Sequence, residues 1–182
     1  VGAILTIENG ILVGNVHAVY VFEGSAYING GTYSVQQKYS DASKADEFVL
    51  NCYDPNYKGK DSGDRKYTGP ARIVVTGGKF ENFNPADCYA EGAHTNFVAE
   101  GYISVKDEDG ISYTVRKKTD NDVAMIDGAV YDSLASAIDS ITDDTVTTTI
   151  VIVKDVDNAA GISVKSGRNI IVDFDGHKYL AG

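Results

Sequence analysis

Asp and Glu supply 26 of the 182 residues, so carboxylates are the first place to look for chemistry. Cleaving a glycosidic bond needs two of them across one cleft, roughly 5–10 Å apart. Asp87 and Glu91 share one irregular loop, and Asp54 and Asp61 share another. In so acidic a chain such pairs also arise by chance, and no catalytic residue is assigned. A lyase would want a basic residue beside its carboxylates. Arg72 and Lys79 flank one strand, but no acidic ladder stands one repeat away from them. Tyr53, Tyr57 and Tyr67 sit among polar groups, where their rings could stack on sugars. Exposed loop tyrosines are also common without a role. The candidate ligand-binding residues are Tyr53, Tyr57, Tyr67, Asp87 and Glu91, and the ligand class they suit is a glycan.

No metal and no cofactor is expected. Asp107-Glu108-Asp109-Gly110 superficially resembles a Ca²⁺ loop, but the alternating aspartates and the later Glu of an EF-hand are missing. A solvated turn is the simpler reading. His17, His94 and His177 are scattered, without the spacing of a zinc site. Gly77-Gly78 is followed by neither Gly-Lys-Ser/Thr nor a helix, so it is no phosphate loop. The net charge of −10 argues against nucleic acid, whose backbone needs clustered Lys and Arg. Cys52 and Cys88 could pair in an oxidising setting or stay as two semi-buried thiols. Nothing resembles a signal peptide or a membrane span. The chain opens at Val1 almost directly into a strand and ends at Gly182 just after another. The expectation is therefore an internal segment of a longer protein.

The elements that position these residues are built on a repeated phrase. Ala71–Phe80, ARIVVTGGKF, is a buried strand, a Gly-Gly corner and an inward aromatic. AYINGGTY (26–33) and LTIENGIL (5–12) repeat it, and IVDFDGHKY (171–179) is a looser copy. Gly permits a sharp corner because it takes positive φ without a steric penalty. The second glycines, Gly10, Gly31 and Gly78, stand 21 and then 47 residues apart. The longer gap is read as two repeats plus an insertion, the hidden repeat being Phe48–Cys52 and the insertion Asp54–Gly69. A fixed period of this size is the signature of stacked repeats and fits one coil of a parallel β-helix. An antiparallel sandwich with Gly-Gly hairpins would space its turns at roughly 8–12 residues instead.

The fold expected is all-β, of parallel β-helix (solenoid) coils with loop insertions. Residues 1–118 form coils with insertions at 36–47, 54–69 and 84–96, and residues 119–123 form a linker. YISVKDEDGISYTV (102–115) alternates at period two around its acidic turn and reads as a hairpin. Residues 124–182 open a second unit. Leu134, Ala137, Ile138 and Ile141 fall at i, i+3, i+4 and i+7, which predicts a helix over 133–141 capped by Asp132 or Ser133. That helix would shield the open edge of the first coil. Strands are expected at 147–153, 162–164 and 169–174.

Several of these segments also carry a family resemblance. YINGGTYSV (27–35), FVLNCYD (48–54), ARIVVTGGKFENFNPAD (71–87) and TNFVAEGY (95–102) resemble a β-helical module of gut bacteriophage virion proteins and of secreted gut-bacterial surface proteins. YDSLASAID (131–139), IVIVKDV (150–156) and VDFDGHKYL (172–180) look like the opening of right-handed β-helix domains of bacterial and phage surface proteins. The resemblance implies right-handed coils and a virion or extracellular, cell-surface setting. It implies a structural or adhesive segment of a larger fibre-type protein, partnered by a host-surface glycan and by other subunits, a homotrimer among the options. It supplies no catalytic residues. The alternative is a polysaccharide-degrading β-helix, a lyase or glycosidase.

Overall fold

The computed structural model describes residues 2–37, 48–57, 67–90, 94–143 and 145–182. The chain divides into two compact units, Val1–Lys117 and Lys118–Gly182. Among the described residues the fold is all-β with one short helix, and its strands lie in five separate sheets.

The first unit holds β1 (Ile4–Ile7), β2 (Ile11–Gly14), β3 (Val19–Val21), β4 (Gly24–Ile28), β5 (Thr32–Val35), β6 (Leu50–Cys52), β7 (Ala71–Val75), β8 (Gly78–Phe80), β9 (Tyr102–Lys106) and β10 (Tyr113–Lys117). Strands pair in parallel with their counterparts in the next phrase, as β1-β4-β7, β2-β5-β8 and β3-β6. Hairpin pairing across the Gly corners is thereby excluded. Ile4 faces Ser25 and Ile11 faces Thr32, a step of 21 residues. Ser25 faces Arg72 and Thr32 faces Lys79, a step of 47.

That register corrects the expected hidden repeat. Leu50–Cys52 pairs with Val19–Val21, so it is the third strand of the second layer and not a layer of its own. The long gap is one layer lengthened by loops, because a parallel ladder fixes the strands and leaves the connections free to grow.

Alternation decides what faces inward. In β7, Ala71, Ile73 and Val75 are buried, while Arg72 is exposed and Val74 half-buried. Leu12, Tyr33 and Phe80 occupy one column of the β2-β5-β8 ladder. Tyr33 and Phe80 are fully buried and stack at 5.0 Å, a geometry that adds about 0.5–1.5 kcal/mol to their burial. The Tyr33 hydroxyl donates to the Gly30 carbonyl at 2.7 Å, and burial raises its pKa. At the corner, Gly31 and Gly78 have φ of +102° and +113°. Gly77 is required for a different reason: a Cβ there would lie 2.3 Å from the Asn29 oxygen of the layer beside it.

β9 and β10 form the expected hairpin, and β10 also pairs antiparallel with β8. The edge of β8 is thus closed by a strand of opposite sense. Phe97–Ala99 contributes one parallel bridge, Val98 to Val75.

The second unit holds β11 (Ala124–Ile126), β12 (Ala129–Tyr131), α1 (Leu134–Ser140), β13 (Thr148–Ile152), β14 (Val156–Ala159), β15 (Ile170–Asp173) and β16 (Tyr179–Ala181). β13 pairs in parallel with β15, and β14 with β16. The Ser133 side chain caps α1 by accepting from the Ser136 amide at 3.0 Å. Leu134, Ala137 and Ile138 are buried with Ala124, Ile150 and Ile152. The helix packs its buried face into the core of this unit. It is β11 that closes β13, through antiparallel pairing. Residues 162–164 are not a strand; with Gly161 before them and exposed side chains throughout, they have no ladder partner.

Candidate functional site

β7 is the outer strand of its sheet, and what lies along its free side is irregular. Val75 donates its N–H to the Phe97 carbonyl at 2.8 Å and accepts from the Ala99 amide at 2.9 Å. At the other end of β7, the Tyr67 hydroxyl lies 3.0 Å from the Ala71 carbonyl and accepts the Ala71 N–H at 3.1 Å. Between these two clasps a cavity of about 260 Å³ opens, lined by Cys52, Tyr67, Arg72, Ile73, Phe97 and Glu100 among others.

Two loops root on this cavity. The 54–69 loop leaves from β6 and returns at β7, and its base is stapled. Asp54, expected in an exposed insertion, is 1 % exposed. Its carboxylate accepts the Asn56 amide at 2.9 Å and the Thr68 amide at 2.8 Å, with the Thr68 hydroxyl at 3.3 Å. The Asn56 amide nitrogen donates to the Thr68 hydroxyl at 2.9 Å. A carboxylate so used holds two chain segments together and is not placed for an open cleft. Its would-be partner Asp61 lies outside the described residues. The 84–96 loop is pinned by Cys88, whose buried thiol lies 3.5 Å from the Leu50 carbonyl, and by paired bonds between Cys88 and Thr95. Cys52 and Cys88 are both buried, and they are not joined in a disulfide.

The structure sorts the three tyrosines. Tyr53 is half-buried, stacked at 4.3 Å on Phe22 of the neighbouring layer. Tyr57 is half-buried, with its N–H on the Asp54 carbonyl at 3.1 Å. Tyr67 uses its hydroxyl on Ala71 and on the Tyr53 carbonyl at 3.0 Å. Burial is the largest cause that raises its pKa, followed by the nearby Cys52, so it acts as a neutral phenol. Tyr67 lines the cavity with its hydroxyl already engaged by the main chain.

Asp87 is exposed, and its Oδ1 lies 2.6 Å from His94 Nδ1. Glu91 lies outside the described residues. The His94 partnership was not visible in the sequence, where the three histidines show no common spacing. Arg72, Phe97 and Glu100 were also missed as cavity residues. They come from segments that local pattern assigns to a strand, a strand and a turn. Among the described residues no group of three His, Cys, Asp or Glu is placed to hold a metal ion.

The chain matches no protein-family model, no curated protein and no solved structure.

Elsewhere in the first unit, Lys79 reaches Asp107 at 2.8 Å and Asp109 at 3.4 Å, so its acidic partners come from the β9–β10 turn. Asp109 also accepts from the Ser112 and Ile111 amides at 2.7 and 3.0 Å, and these bonds hold its carboxyl well below the usual range. The residues once compared with a Ca²⁺ loop are spent on the turn itself. Among the described residues no helix is long and apolar enough to cross a membrane.

Proposed function

We propose that the parallel ladders are the faces of right-handed β-helical coils, and that the chain is a non-enzymatic structural and adhesive segment. Its setting would be a larger fibre-type phage virion protein or a bacterial cell-surface protein, with a host-surface glycan as partner and further subunits alongside. The observation that carries this reading is that two long loops leave an in-register parallel scaffold and root on one cavity. A stacked scaffold of this kind is rigid along its axis, and solenoids place their insertions on one face, often the binding face.

The test is a glycan-array screen of the chain, with reducing-sugar release assayed on every glycan bound. Binding without release is expected. Release that is abolished by Asp87→Asn or Glu91→Gln would replace this reading with a polysaccharide-degrading enzyme. Absence of binding would leave a scaffold without a recognition role.

A further inference from the structure

The free side of β7 offers three main-chain rungs, and two are taken. Along a strand, successive residues send their N–H and C=O to opposite sides. Thr76 donates to the Ile28 carbonyl, so the residues in phase with it, Val74 and Arg72, face β4. Ala71, Ile73 and Val75 face the other way. Val75 is bonded to Phe97 and Ala99, and Ala71 to the Tyr67 hydroxyl. Ile73 lies between them, its side chain buried, and among the described residues none pairs with its N–H or C=O on that side. A buried main-chain pair is rarely left unsatisfied, because a donor or acceptor taken out of water without a partner is costly. The cavity is the space that those two groups face.

We propose that this cavity binds a single pyranose ring through two neighbouring hydroxyls, one accepting from the Ile73 N–H and the other donating to the Ile73 C=O. The proposal deepens the glycan-presenting reading above and rests on it. An extended peptide adding to a sheet edge needs successive rungs. Here the rungs on both sides of Ile73 are occupied, so a ligand gains only one donor and one acceptor from the main chain. Adjacent hydroxyls, each able to donate and accept, supply that pair. The rim carries one charge of each sign, Arg72 and Glu100, which suits a neutral polyol over an ion. Phe97 and Val98 give apolar lining for the ring's C–H groups. At about 260 Å³ the space is smaller than a drug-sized pocket, as expected for one ring.

The test is ¹H–¹⁵N NMR of the full chain titrated with methyl α-mannopyranoside, methyl β-galactopyranoside and methyl β-glucopyranoside. At least one is expected to shift the Ile73 amide saturably, together with amides of residues 97–100, with Kd of about 1–10 mM. Ala99→Phe, which fills the cavity, is expected to weaken that binding at least about tenfold while leaving the β4 and β5 amides in place. If that variant perturbs the fold, Glu100→Ala, on the exposed rim, is expected to weaken it about threefold. No Ile73 shift with any of the three glycosides overturns the proposal. So does an Ile73 shift caused by an extended Val-Thr-Val-Thr peptide and by none of the glycosides. Array binding that survives Ala99→Phe overturns this site and leaves the adhesive reading standing. An Ile73 shift without any array binding keeps the site and removes the host-glycan reading.

Discussion

Asp54 and Asp109 show how carboxylates in this chain are consumed by structure. Asp54 closes the base of the 54–69 loop from a buried position, with the Asn56 and Thr68 amides as donors. Removing it leaves those donors without an acceptor, so Asp54→Ala is expected to lower the stability of the first unit by about 1–3 kcal/mol in urea unfolding. Asp87→Asn is the contrast. Its pair with His94 is half exposed, and such pairs contribute about 0–1 kcal/mol. The pH dependence falls on Asp109. Its folded pKa is depressed, by Ser112 first and Ile111 next, so its contribution is fully present above the ordinary carboxylate pKa near about 4. It is lost as pH falls from there toward the lower folded value. Exchange of the Ile111 and Ser112 amides should accelerate in that window relative to the rest of the β9–β10 hairpin, and Asp109→Asn should abolish the acid-dependent part. The Asp54 role was not readable from composition, since Thr68 meets it across a loop, whereas the donors to Asp109, the Ile111 and Ser112 amides, follow it within the same turn.

The corners carry the element scale. Three copies of one phrase stack, and the first position of the Gly pair is pressed against the layer beside it. A Cβ on Gly77 would sit 2.3 Å from the Asn29 oxygen, and one on Gly30 would sit 2.5 Å from the Glu8 oxygen. Asn9 holds the same place in the first phrase, where β1 and β2 are sheet edges and its side chain bonds the Gly10 amide at 2.8 Å. Gly77→Ala is therefore expected to destabilise by roughly 1–3 kcal/mol, because the colliding atom is backbone. Gly161→Ala meets nothing within 4 Å and has no positive φ, so it should stay within about 0.5 kcal/mol. Thermal unfolding of both variants checks the pair. The Gly phrase was legible because positive φ and tight approach are local demands. The role of α1 was half legible: its spacing and Ser133 cap were visible, but what it covers was not.

At the scale of the molecule, both units end a parallel ladder with an antiparallel hairpin. β10 closes β8, and β11 closes β13. Open edges template association with other chains, and each antiparallel hairpin covers the end of the parallel ladder, leaving β9 and β12 as the edge strands at that end. Val115→Pro deletes the β10 donor that faces Gly78 of β8. It should expose β8 and produce concentration-dependent association in light scattering. Unchanged monodispersity would show that the hairpin does not guard that edge.

The residues by themselves determined the all-β class, strands such as Ala71–Val75 and Thr148–Ile152 with their inward columns, the corner glycines, the hairpin and the helix. Each depends on a period or a dihedral set within a few residues. Only the tertiary structure decided that Leu50–Cys52 belongs beside Val19–Val21, that Asp54 and Thr68 meet, and that β7 leaves Ile73 facing a cavity. Pairing in a parallel stack is a choice of register between distant segments. The closure cost of a loop grows only slowly with its length, so insertions can blur the spacing without moving the strands.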